Sequence, residues 1–98
     1  MTDYFTAPIH PGTLLKSEFL EPLNMTAYGL AKALAVPRSN IEALVRGQRS
    51  LSAELALRLS RYFGNSAEFW VNAQSHYDLE CAQEKIGDRL KAISPRAA

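Results

Sequence analysis

The side chains best suited to chemistry in this 98-residue chain are arginines, and they are concentrated in one short segment. Residues 38–61 contain five arginines against two glutamates, whereas residues 1–37 and 62–98 each carry one more acidic than basic side chain. Guanidinium groups bind phosphate and guanine through paired hydrogen bonds. The segment therefore predicts a surface that binds a polyanion, and a solvated basic face is the alternative interpretation.

Other kinds of site have little support in the sequence. The single cysteine, Cys81, excludes an intramolecular disulfide and a multi-thiolate zinc site. Neither His10 nor His76 has partner ligands at metal-binding spacing, and Ser75, His76 and Asp78 point to different sides of a predicted helix rather than forming a triad. The sequence also contains neither a glycine-rich phosphate loop nor paired carboxylates. We therefore expect a non-enzymatic chain with no metal and no cofactor.

The apolar spacing predicts an all-α fold of five helices, without strands or internal repeats. The predicted elements are a first helix from Pro11 to about Leu20, a second capped by Thr26, a third from about Arg38 to Gly47, a fourth capped by Ser52 and a fifth capped by Ser66. The fifth helix is expected to reach at least Ala82, with a polar extension beyond it.

These helices are predicted to enclose one core. The fourth helix is expected to bury Leu55, Leu59, Tyr62 and Phe63. The apolar set of the fifth helix is Phe69, Trp70, Ala73, Tyr77, Leu79 and Cys81. Residues 1–9 form an irregular arm in this interpretation, whose Tyr4 and Phe5 pack against the body. The whole chain, 1–98, is one domain with a core over about residues 9–82 and a helical extension over 83–94.

Ala27 to Arg46 fits a helix–turn–helix, in which a second helix is held against the first and presents its outer face to the major groove of DNA. The wedge between the helices requires apolar side chains, and Ala31 must be small where they cross. The wedge residues are Leu30, Leu34, Val36, Ile41 and Leu44. The remaining positions of the third helix are polar or small, as a groove-facing surface requires.

We therefore predict a DNA-binding surface made by the third helix and the loop after it. Its residues are Arg38, Ser39, Asn40, Glu42 and Ala43 on the helix, and Arg46, Gln48 and Arg49 in and next to the loop, with Ser50 beside them. Asn40 could pair with adenine and Arg38 could bind guanine or phosphate. Glu42 could accept from cytosine, orient an arginine or repel phosphate. The loop residues are expected at backbone phosphates.

The run from Leu30 to Arg49 resembles the helix–turn–helix of Cro and phage repressors. Flanking segments are similar to those of the HigA, or VapI-like, antitoxins over about residues 9–82. Those segments are Ile9–Gly12, Leu20–Leu23, Ala56–Gly64, Phe69–Trp70 and Tyr77–Leu79. Two positions depart from the family pattern. Ala35 stands where a left-handed glycine is usual, and Pro37 replaces the usual Ser or Thr cap.

The resemblance implies a repressor that binds double-stranded operator DNA and neutralises a HigB-type toxin, a ribosome-dependent RNase. A free-standing regulator without a toxin is one alternative. A protein-interaction module that has lost DNA binding is another, although Glu42 is the single acidic residue on the recognition helix.

Assembly and location are also expectations at this point. The segment after Ser66 carries more large apolar residues than its own core requires, which predicts a homodimer. The first nine residues contain no apolar run of the kind found in signal peptides, and the chain has no apolar stretch of about 20 residues that could span a membrane. We therefore expect a cytoplasmic protein that does not enter a membrane.

Overall fold

The structure, a computed structural model, describes residues 7–97, and every regular element in that range is helical. The elements are α1 (Pro11–Leu15, continued by a π-helical turn over Lys16–Leu20), α2 (Ala27–Leu34), α3 (Arg38–Val45), α4 (Ala53–Phe63) and α5 (Ala67–Leu90). This arrangement confirms the predicted all-α fold of five helices. The expected packing of Tyr4 and Phe5 lies outside the described residues.

The first helix begins at a histidine cap and touches the third helix with its backbone. His10 Nδ1 accepts a hydrogen bond from the Gly12 amide at 2.9 Å. A Cβ placed on Gly12 would lie 1.7 Å from the Leu44 carbonyl oxygen, so only glycine allows this approach. The π-helical turn was not expected. A π-helical turn contains one residue more than an α-helical turn, but here Leu15, Phe19 and Leu20 still face the core. The spacing of the apolar residues therefore did not indicate the π-helical turn.

The joint between α2 and α3 has the left-handed turn that the resemblance implies, despite both departures in sequence. Ala35 is left-handed, with φ 59° and ψ 45°, and the Val36 amide donates to the Ala31 carbonyl at 3.0 Å. A non-glycine residue in this region costs about 1 kcal/mol. Pro37 occupies the cap position of α3 without a side-chain hydrogen bond. The turn is therefore preserved at a small local cost.

The predicted wedge forms the centre of the core. Leu30, Leu34, Ile41 and Leu44 are buried, and Val36 packs against them while half-buried. The other buried apolar residues are Leu15, Leu20, Ala31, Leu51, Leu55, Ala56, Leu59 and Trp70. The Trp70 indole donates from Nε1 to Asn65 Oδ1 at 3.0 Å, so its one polar group is satisfied.

The prediction that Tyr62 belongs to the buried side of α4 was wrong. Tyr62 is 46% exposed because the buried stripe of α4 is centred nearer Ala56, which leaves Tyr62 at its margin. Phe69 and Leu79 are 41% and 71% exposed, since α5 contacts the body through the side that carries Trp70 and Gln74. Cys81 and Tyr77 are half-buried on that same side.

The fifth helix extends well beyond the core. It spans 24 residues and ends at Leu90, and residues 88–97 are exposed. The molecule is accordingly elongated, with dimensions of 52 × 29 × 23 Å. Among the described residues, we find no helix with the length and apolar character needed to cross a membrane.

Candidate nucleic-acid interface

The third helix is anchored on one side and open on the other. Ile41 and Leu44 are completely buried and hold α3 against the body. On the opposite side Arg38 and Ser39 are exposed, and Asn40, Glu42 and Ala43 are half-buried. The predicted recognition residues therefore lie outside the buried side of α3, as insertion into a major groove requires.

Arg38 is held in position by two neighbours. Its Nε lies 3.4 Å from Glu42 Oε2, one turn along α3, and its guanidinium carbon is 5.8 Å from the ring centre of Tyr28 on α2. Exposed ion pairs of this kind contribute at most about 1 kcal/mol, so DNA can displace Glu42 from Arg38. Of the three roles considered for Glu42, the structure shows the contact needed to orient an arginine.

The loop after α3 brings a second arginine onto the same surface. Gly47 has φ 73°, a left-handed conformation that ends α3 and turns the chain toward α4. Arg46, Gln48 and Arg49 are exposed around it. Arg49 reaches back, and its Nη1 donates to Asn40 Oδ1 at 2.5 Å. This hydrogen bond joins the loop to the first turn of α3.

A buried glutamine anchors the end of this loop to α5. Gln74 Oε1 accepts from the Leu51 amide at 2.7 Å, and Gln74 Nε2 donates to Asp78 Oδ1 at 2.9 Å. Gln74 was not among the predicted functional residues, because a polar residue on a helix usually faces water. Its position four residues after Trp70, on the same face of α5, was the available signal.

Two further residues acquire roles that sequence alone did not indicate. Tyr28 lies under Arg38 and is 57% exposed, which places an aromatic hydroxyl beside the recognition face. Arg58 lies in the basic segment, residues 38–61, but its contacts stabilise the fold. Its Nη1 donates to the Leu34 carbonyl at 2.8 Å, and its Nη2 lies 3.1 Å from Glu54 Oε2. Not every arginine of residues 38–61 is therefore available to bind a ligand.

Comparison with known proteins agrees with this geometry. A helix-turn-helix family model matches residues 17–70. The chain is 36% identical over 88 residues to antitoxin HigA-1 of Vibrio cholerae, covering 90% of this chain and 83% of that protein. The chain belongs to the HigA-type helix-turn-helix family. Another relative, virulence-associated protein I of Dichelobacter nodosus, is 50% identical over 76 residues, covering 78% of this HigA-type chain and 70% of the relative.

A solved structure extends the similarity to nearly the whole molecule. An antitoxin HigA from Pseudomonas aeruginosa, determined with the higBA promoter, is 43% identical to this HigA-type chain. The two superpose with a TM-score of 0.88 over 92% of this chain and 99% of the other. The resemblance predicted from the motifs is therefore confirmed, and it includes the fold as well as the sequence.

Proposed function

We propose that this HigA-type chain binds the operator of its own gene, represses transcription there, and acts as the antitoxin of a HigB-type toxin. The observation that carries the proposal is the open side of α3, where Arg38 contacts Glu42 and Asn40 contacts Arg49, while Ile41 and Leu44 anchor the helix from its buried side. The similar Pseudomonas aeruginosa antitoxin was solved with promoter DNA, which supports DNA as the partner.

The residues of this face take different parts in the proposed complex. Arg38, Ser39 and Asn40 enter the major groove. Glu42 orients Arg38 until DNA binds. Ala43 is small and allows close approach of the helix. Arg46 and Gln48 lie in the exposed loop, at the edge of the face, where they contact the phosphate backbone.

The proposal also includes a homodimer formed through α5. Leu79, Ile86 and Leu90 recur at i, i+7 and i+11, on the side of α5 opposite Trp70. Leu79 and Leu90 are exposed and Ile86 is half-buried. We call these three residues the α5 seam. A second copy covers this apolar stripe, and the resulting two-fold symmetry places two copies of α3 about one helical turn (~34 Å) apart.

In this role the chain is a regulator without catalytic activity, metal or cofactor. It acts in the cytoplasm, where bacterial operator DNA and a ribosome-dependent RNase are both present. Antitoxin function is supported by the names of its HigA relatives and by the similarity over nearly the whole chain.

A mobility-shift experiment tests the proposal directly. The full chain is mixed with the DNA upstream of its own gene, with and without the protein encoded by the adjacent gene, and a shuffled fragment of equal length is the control. We expect a shift specific to the upstream fragment, and a further change in mobility when the adjacent protein is present. Absence of a specific shift at low salt contradicts operator binding.

The same experiment separates the two alternative functions. A free-standing regulator shifts the upstream DNA but forms no complex with the product of an adjacent gene. A protein-interaction module forms that complex but leaves the DNA unshifted. Growth rescue of cells expressing the adjacent protein then tests neutralisation independently of DNA binding.

A further inference from the structure

We propose that Asn40 and Arg49 act as one base-reading unit that selects guanine. This inference rests on the proposed operator binding and assigns a base preference to that site. The observation behind it is the hydrogen bond from Arg49 Nη1 to Asn40 Oδ1. It joins a residue in the first turn of α3 to a residue nine positions later, in the loop after the helix.

The chemistry of arginine determines how the Asn40 amide is turned. A guanidinium group has N–H donors and no acceptor, so the Asn40 atom that faces it must be the carbonyl oxygen. The amide NH₂ of Asn40 then points away from Arg49. One donor of Arg49 is used in this contact, and the others remain available. The pair therefore presents mainly donors to a ligand.

The residues that surround the contact allow Arg49 to bind Asn40. Asn40, Arg49, Ser52, Glu54 and Arg58 line one small crevice of about 100 Å³ between α3 and α4. Glu54 is the acidic side chain of this crevice, and it is bound by Arg58 through two hydrogen bonds of 3.1 and 3.3 Å. Glu54 therefore has its own cationic partner, and Arg49 donates to Asn40.

This donor pattern favours guanine over adenine. Guanine presents two acceptors in the major groove, O6 and N7, whereas adenine presents the acceptor N7 and the N6 amino donor. An asparagine that binds adenine accepts from N6 with its carbonyl oxygen. At Asn40 one lone pair of that oxygen already accepts from the Arg49 guanidinium, so an adenine amino group that used the other lone pair would lie beside a competing donor and a positive charge. Guanine instead meets donors from both side chains.

Selection from a pool of duplexes with a randomised core of about 20 base pairs, long enough for two half-sites, tests this unit. We expect the wild-type chain to select guanine at one position in each half-site. Arg49→Ala frees the Asn40 oxygen and should shift the preference at that position toward adenine by about tenfold. Asn40→Ala should lower the guanine preference at the same position. The double variant should lose no more than the stronger single variant loses.

Arg46→Ala is the matched control, because Arg46 lies in the same region, is exposed, and carries the same charge. Its loss should weaken binding to all duplexes alike and reduce the salt dependence by about one unit of slope. If Arg49→Ala gives this same uniform loss, or if the wild type selects adenine there, the unit is contradicted. A wild-type chain that selects no sequence contradicts operator binding itself and this unit with it. Circular dichroism verifies that each variant is folded.

Discussion

At the scale of single residues, two of the predicted recognition residues already contact neighbouring side chains. Arg38 lies between Glu42 and the ring of Tyr28, and Asn40 is held by Arg49. These exposed contacts contribute little stability, because water competes for each of them. Their effect is to restrict rotamers of long side chains, which lowers the entropy lost when DNA binds.

The first prediction concerns Arg38. We expect Arg38→Ala to weaken binding to the upstream DNA by ~1–3 kcal/mol and to relax base preference, because the side chain that we propose to contact a base edge is removed. Fluorescence anisotropy with labelled duplexes measures both effects. Arg61→Ala is the control, since this exposed arginine on α4 has the same charge and lies outside the recognition face. Equal losses in the two variants would argue that charge alone is responsible.

His10 makes stability depend on pH. Burial lowers the pKa of His10, against smaller opposing effects of the Asp78 carboxylate and the Arg49 backbone. Its Nδ1 accepts from the Gly12 amide and its ring meets Tyr77 edge-on, with ring centres 4.8 Å apart. The folded chain therefore favours the neutral imidazole, whereas the unfolded chain takes up a proton near the ordinary pKa of about 6.5.

The second prediction follows from this difference. The folding stability that His10 supports is complete above about pH 6.5 and decreases as the pH falls through the lowered folded pKa. Urea unfolding at a series of pH values measures the slope. His10→Asn retains an acceptor for the Gly12 amide without a titratable ring, so its stability should depend less on pH in this range. Identical slopes in wild type and variant would exclude His10 as the source.

At the scale of elements, the α2–α3 joint combines strain with several compensating contacts. The left-handed Ala35 allows its own amide and that of Val36 to bind the last carbonyls of α2. Arg58 adds a hydrogen bond to the Leu34 carbonyl from a helix 24 residues away in sequence. These hydrogen bonds maintain the angle between α2 and α3, on which the position of the recognition helix depends.

The third prediction is that Ala35→Gly stabilises the protein by about 1 kcal/mol, because glycine adopts the left-handed conformation without a Cβ clash. Thermal and urea denaturation measure the change. Ala33→Gly, two residues earlier on an exposed right-handed position of α2, should instead destabilise by ~0.5–1 kcal/mol. A loss of stability in both variants would contradict strain at Ala35.

At the scale of the whole molecule, the elongated shape separates two surfaces. The helix–turn–helix occupies the compact end, and the last two turns of α5 project from it. Gln74 and Tyr77 attach α5 to the compact end. Gln74 accepts a hydrogen bond from the Leu51 amide, at the end of the loop before α4, and Tyr77 packs on His10. The α5 seam and the predicted recognition residues accordingly lie on different elements, α5 for the seam and α3 with the following loop for the recognition residues.

The fourth prediction concerns the α5 seam. Sedimentation equilibrium at micromolar concentration should show a dimer for the wild type and a monomer for Leu79→Glu combined with Leu90→Glu, because two charges replace the apolar contact. Leu57→Glu is the control, since Leu57 is 62% exposed on α4 and lies outside the seam. A monomeric wild type that binds an operator with two half-sites one-to-one would contradict both the seam and the two-fold operator.

Much of the fold followed from local chemistry. Thr26, Ser52 and Ser66 were predicted as helix caps, and each accepts a hydrogen bond from the amide three residues later. A cap depends only on one side chain and the turn that follows it, so it can be predicted from a short stretch of sequence. The wedge residues were likewise predictable, because apolar periodicity defines the buried side of a helix.

The sequence by itself therefore determined the number of helices, the caps of three of them, the wedge of the helix–turn–helix and the family. The tertiary structure alone decided which side chains are engaged across the fold. Arg49 binds Asn40 across 9 residues, Gln74 binds the Leu51 amide across 23, and Arg58 binds the Leu34 carbonyl across 24. Such contacts depend on how helices cross and loops close. The spacing of residues along one helix contains no information about them, because the partner lies on a different element.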